Sequence, residues 1–240
     1  KAQRGQKINK APIQGISETL RIEYRTPVSL KDNKEEYNYL KELDADLAIV
    51  VAYGQIIPKE YLSLVKKGFI NIHASLLPKL RGAAPIQRSI INLEKETGIS
   101  IMRIGEKLDT GPVCNSYKIN IMADDNSETI AEKLSKLASE KILDNIDKIL
   151  EDKIEFKEQN HKDATYAAKI EKKEGQIEWR ETAEKIIGKI NGLYPSPGAF
   201  FVYNGERYKI LKASLALGSG KIGEVLDNYL EVGCGDKKSI

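Results

Sequence analysis

Hydrophobic and polar positions follow two rhythms along this chain, and the changes of rhythm mark its elements. Residues 47–52 (LAIVVA) are a continuous apolar run, the pattern of a strand buried on both faces of a parallel sheet. Residues 68–73 (GFINIH) are a second short strand, in which Asn71 and His73 lie two apart and so share a face. Pro58 opens a short helix through residue 65, so strand, helix and strand follow in order and predict an open, doubly wound sheet. A helix is expected over 85–93, starting at Pro85. Strands over 98–104 and 113–121 flank a turn at 108–112 (LDTGP).

Helical spacing dominates elsewhere. Tyr37, Leu40 and Leu43 make a stripe over 33–43, and Ile130, Leu134, Leu137, Ile142, Ile146 and Ile149 make a longer one over 127–150. Asp125 with Glu128 three residues later reads as a capping-box-like start. Residues 1–14 lack periodicity and read as a flexible loop, followed over 18–25 by a helix end running into a short strand. Lysine and glutamate crowd the apolar pattern out over 160–176, which places a linker there. A first unit is therefore expected over 1–167, a linker over 168–181 and a second unit over 182–240. The second unit carries a helix over 182–193, strand-like segments over 198–203, 208–211 and 223–232, and a hairpin signal at Asn204-Gly205; this spacing suits a small barrel.

Composition narrows the classes. The 240 residues hold enough chain for a substantial core, and 41% hydrophobic with 30% charged residues describes an ordinary globular protein. No apolar run approaches the roughly 18 to 20 residues of a membrane span. Cys114 and Cys234 are too few for a disulfide framework, and two histidines make a multi-histidine metal site improbable, so no metal is expected. Net charge is only +3, yet Lys1, Arg4, Lys7 and Lys10 precede any acidic residue, the first being Glu18. Such a basic arm suits phosphate contacts, although a solvated loop would look the same.

Candidate chemistry sits at the end of the second strand. An asparagine amide can donate to a developing oxyanion, and a histidine can move a proton near neutral pH. A carboxylate is needed to hold the ring, and Asp109 is the candidate. Cys114 lies nearby but has no adjacent base, so it is not expected to act as a nucleophile. Taken alone, Asn-x-His is more often a polar pair satisfying backbone groups where a strand meets a loop.

The longer string NIHASLLPKLRGAAPI with LDTG resembles the folate-dependent formyltransferases, and RGAAPIQRSI resembles the branch that acts on methionyl-tRNA. AYGQIIP (52–58), TYAAKI (165–170) and IEW (177–179) extend the resemblance over most of the chain. The resemblance implies a Rossmann-like α/β catalytic domain followed by a smaller OB-like β-barrel that helps hold tRNA. It implies Asn71, His73 and Asp109 as catalytic residues. It also implies 10-formyltetrahydrofolate as formyl donor, held by Tyr53, Gly54, Gln55, Ile56, Ile57 and the loop Ser75, Leu76, Leu77 and Pro78. Arg4, Lys7, Lys10 and Arg81 are the expected tRNA contacts. A monomeric, cytoplasmic bacterial enzyme is expected, without membrane attachment. The family has a strand, a helix and a strand ahead of the basic loop; these are expected to be omitted from this sequence, and the barrel to be truncated. Three alternatives stay open: a formyltransferase for an amino-sugar nucleotide or glycinamide ribonucleotide, a 10-formyltetrahydrofolate hydrolase, or a tRNA-binding module without activity.

Overall fold

A computed structural model describes residues 10–240. The first unit contains α1 (Pro12–Leu20), α2 (Lys34–Glu42), β1 (Ala48–Val50), α3 (Lys59–Leu62), β2 (Phe69–His73), β3 (Arg81–Gly82), α4 (Pro85–Ile91), β4 (Glu96–Arg103), β5 (Val113–Asn120), α5 (Ser127–Leu150) and β6 (Tyr166–Ala167). Beyond it lie α6 (Ala183–Leu193), β7 (Ala199–Tyr203) and β8 (Glu206–Ile210).

The main sheet has the order β1-β2-β4-β5. β1 and β2 run parallel, whereas β4 is antiparallel to both β2 and β5. Parallel pairing is therefore confined to the first two strands. The short turn through Gly111 joins β4 to β5, and so short a connection permits only antiparallel neighbours. β1 also departs from expectation: Ile49 is 42% and Val51 59% exposed, because β1 is an edge of the described sheet.

Side chains alternate across a strand, so Ile70, Ile72, Ile99 and Ile101 face one way, and Asn71, His73, Ser100 and Met102 the other. The isoleucine face packs on α5, where Ile130 and Leu134 close one end and Ile149 the other. The opposite face carries the polar groups. It is crossed by the chain after β2 and by the small β3–β6 ribbon, which pairs Arg81 with Tyr166 and Gly82 with Ala167.

Local signals explain most boundaries, with three corrections. The α5 cap is Asn126, in a capping box with Thr129; Asp125 instead accepts from Lys133, the Thr129 hydroxyl and the Met122 backbone N–H. The expected loop over 10–14 turns helical at Pro12, which suits a first turn, and no strand follows within 18–25. The expected linker contains a 3-10 turn at Lys172–Gly175, anchored by a two-pronged pair between Arg88 and Glu174.

In the second unit, α6 buries Ala183, Ile186, Ile190 and Leu193 completely. It meets α4 through glycines: a Cβ at Gly188 would come 2.6 Å from Leu93, and one at Gly192 2.6 Å from Ile91. β7 and β8 pair through Asn204-Gly205, both with positive φ, as the hairpin signal requires. After β8, residues 223–232 are turns stitched by single bridges, such as Val225 with Val232, rather than a strand. Among the described residues no closed barrel forms.

Candidate active site

β2 delivers Asn71 and His73 to the polar face at its C-terminal end. His73 is 6% exposed, and its Nε2 lies 2.9 Å from the Leu80 carbonyl. A carbonyl can only accept, so Nε2 carries the hydrogen and Nδ1 faces the Asp109 carboxylate, 3.7 Å away. That separation is too long for a hydrogen bond. The Asp109 side chain is 11% exposed, and its Oδ2 accepts from the Gly82 N–H at 2.8 Å. Asn71 is partly exposed, and among the described residues its amide has no hydrogen-bond partner. The open side of the site is thus the Asn71 side.

The chain between His73 and Gly82 is tied at many points. Ser75 is buried and donates to the Lys79 carbonyl at 2.6 Å. Ser100, directly opposite His73 in the β2–β4 register, bonds the Ser75 carbonyl at 2.8 Å and accepts from the Leu77 N–H at 3.0 Å. Leu76 lies against Gly98, where a Cβ would sit 2.6 Å from its side chain. Thr165 holds the far end, accepting from the Leu80 N–H through its hydroxyl and from the Arg81 N–H through its carbonyl. The turn bearing Tyr53, Gly54, Gln55, Ile56 and Ile57 leaves β1 at the same edge, since Val50 is level with Asn71 in the parallel pair. It is an exposed apolar turn, with Ile56 at 86%, and burial together with Glu36 pushes the Tyr53 phenol above its ordinary range.

The structure describes two of the four expected basic contacts, Arg81 and Lys10. Arg81 is 2% exposed; it donates to Gln159 through Nε and Nη2 and to the His161 Nδ1, so it braces the interior and does not offer its charge to a polyanion. Lys10 is paired with Glu18 at 2.6 Å, which raises the lysine pKa and lowers that of the glutamate, so its charge is locally balanced. Arg4 and Lys7 lie outside the described residues. Gln159, Leu80, Gly82 and Thr165 all touch the site. Sequence reading missed these contacts because Gln159 and Thr165 lie far from His73 along the chain, and nothing local tells that Leu80 and Gly82 turn their backbone toward it.

Comparison with known proteins bears on this geometry. Residues 2–146 match the family described as formyl transferase, and residues 169–240 match the formyl transferase C-terminal domain. Over 240 residues the chain is 71% identical to the methionyl-tRNA formyltransferase of Pelagibacter ubique, covering all of this chain and 77% of that protein. The chain belongs to the methionyl-tRNA formyltransferase family. Its similarity to the Jannaschia enzyme of the same description is 43% over 235 residues, 98% of this chain and 77% of that one. Among solved structures, a sugar 3N-formyl transferase crystallised in the presence of dTDP and 5-N-formyl-THF superposes with a TM-score of 0.74 at 21% identity, over 95% of this formyltransferase and 79% of that chain. That likeness establishes a shared Rossmann-like α/β formyltransferase fold.

Proposed function

We infer that this enzyme's transfer of a formyl group from 10-formyltetrahydrofolate to the α-amino group of methionyl-tRNA runs through Asn71, His73 and Asp109. The observation that carries the assignment is the end of β2, where an unpartnered amide and an imidazole held from both sides share one sheet face. The neutral amine attacks the formyl carbon and negative charge collects on the formyl oxygen; the intermediate then collapses as the bond from the formyl carbon to the folate N10 breaks, and tetrahydrofolate leaves with N10 protonated. Asn71 donates to that oxygen from its free amide. His73 stabilises the same charge when its Nε2–H, donated to the Leu80 carbonyl in this structure, turns to the formyl oxygen, with Asp109 beside Nδ1. Asp109 also helps take up the proton the amine loses, through water. The folate is held by the exposed apolar turn of Tyr53, Gly54, Gln55, Ile56 and Ile57 and by the braced loop of Ser75, Leu76, Leu77 and Pro78. No covalent enzyme intermediate is needed, and burial keeps the Cys114 thiol protonated by raising its pKa.

The division into a catalytic unit over 1–167, a linker over 168–181 and a tRNA-holding unit over 182–240 is supported by β6, which closes the first unit against β3. We read the second unit as OB-like, with the β7–β8 hairpin as part of its wall. Tyr203, Tyr208, Arg207 and Lys209 there provide aromatic faces and charge suited to a nucleic acid. Arg4 and Lys7, with Lys10 when it leaves Glu18, form a basic arm toward tRNA phosphates. The enzyme acts as a cytoplasmic monomer in this reading.

The test is turnover with the formyl donor and charged initiator tRNA, against donor in buffer alone. Formylation of the tRNA is expected, with little donor hydrolysis. Asn71→Ala and His73→Ala should each lower kcat by about two to three decades while tRNA affinity stays within a factor of two or so. Wild-type turnover in either variant overturns the assignment.

A further inference from the structure

We propose that Gln159 is a positioning residue for formyl transfer, the clamp that holds the Asp109 turn against His73. This rests on Asp109 being part of the catalytic set. Gln159 is 9% exposed, and its amide is saturated. Nε2 donates to the Asp109 carbonyl at 2.9 Å and to the Gly111 carbonyl at 2.7 Å. Oε1 accepts from Arg81 Nε at 3.1 Å and Nη2 at 2.6 Å. Only one orientation of the amide is possible, because carbonyls cannot donate and a guanidinium cannot accept. A single side chain therefore spans the residue on either side of Thr110 and ties both to a buried cation.

The geometry explains why a clamp is needed. Asp109 sits at φ 49, a left-handed conformation that costs energy for any residue with a Cβ. Gly111 lies so close to the β4 backbone that a Cβ would be 2.0 Å from the Arg103 carbonyl, which pins one side of the turn. Gln159 pins the other. It is itself placed by the segment after α5, where Lys157 and Val113 exchange two backbone hydrogen bonds at the start of β5. Arg81 belongs to the same device: residues 80–82 supply the Leu80 carbonyl to His73 and the Gly82 N–H to Asp109, while the Arg81 side chain reaches back to Gln159. One three-residue stretch thus fixes both catalytic partners, and Gln159 links it to the backbone of the Asp109 turn. A displacement of about 1 Å at a reacting group can cost on the order of 100-fold in rate, so a lost clamp is read in kcat.

The decisive variant is Gln159→Glu in the full chain, with Gln159→Met beside it. Glutamate keeps the Arg81 contact but opposes two carbonyl oxygens with an acceptor, so it breaks the clamp and leaves the packing. Both variants are expected to lose about 10- to 100-fold in kcat with KM for the folate donor within roughly threefold. The loss should fall on kcat while KM stays, a split that a purely structural role would not give. Wild-type kcat in soluble, folded Gln159→Glu overturns the proposal. Asp109→Ala, measured in parallel, separates the two failures: full turnover there sinks the catalytic assignment itself rather than the clamp.

Discussion

At the scale of single residues, this chain uses buried polar groups as fasteners, and each is legible through its hydrogen-bond inventory. Asp125 is the clearest outside the site. Burial alone would raise its pKa, but Lys133, the Met122 N–H and the Thr129 hydroxyl together outweigh that and hold the carboxyl below its ordinary range. A carboxyl lowered in the folded state contributes stability above the unfolded value of about 4 and loses it as pH falls through the lower folded value. Asp125→Asn should therefore destabilise the protein by about 1–3 kcal/mol at pH 7. The gap from wild type should close on acidification below about pH 4, read by urea midpoints across the pH range. A gap that stays constant with pH would mean the ionised form is not what matters. The same inventory shows why Ser100 sits beneath His73: its hydroxyl serves the Ser75 carbonyl, the Leu77 N–H and Ser116 together.

At the scale of elements, close backbone approaches decide which neighbours can meet. Gly98 of β4 makes one such approach in the main sheet, since a Cβ there would lie 2.1 Å from the Tyr117 carbonyl and 2.6 Å from Leu76. The first obstacle is backbone, which cannot step aside as a side-chain tip can. Gly98→Ala should cost about 1–3 kcal/mol of stability. By pushing Leu76 it should also raise KM for the folate donor more than it lowers kcat. Thermal denaturation and steady-state kinetics on one preparation check both halves; an unchanged melting temperature would contradict the approach. α4 and α6 meet under the same constraint at Gly188 and Gly192, which explains how a helix of the second unit lies directly on the first.

At the scale of the whole molecule, charge is distributed rather than concentrated. The chain is +3 overall, and several cations on its described surface are partnered, as in Lys10 with Glu18, Lys66 with Asp44 and Asp46, and Arg88 with Glu174. In the proposed reading, Arg4 and Lys7 are the groups of the basic arm that meet tRNA phosphates. Replacing both with glutamine should weaken tRNA binding and reduce the slope of log affinity against log salt by about 1 to 2. Filter binding at several salt concentrations measures this, and an unchanged slope would exclude the arm as a phosphate contact. Arg81→Lys, by contrast, should leave the salt slope alone and act on turnover, because that charge is buried.

Local rules in the sequence settled much of this protein. Apolar periodicity located β2 and α5 closely, the Asn204-Gly205 pair set the second hairpin, and the string from Asn71 to Ile86 carried the family. Those features depend on neighbours a few residues apart, where backbone preference and side-chain period act directly. The surroundings of the same residues needed the fold. That Asp109 points inward, that the Arg81 side chain is buried as a brace, and that Gln159 reaches both all depend on segments from 27 to 78 residues apart meeting on one sheet face. No local pattern encodes such meetings, because they follow from where loops close and which polar atoms are left to satisfy one another once the apolar faces are packed.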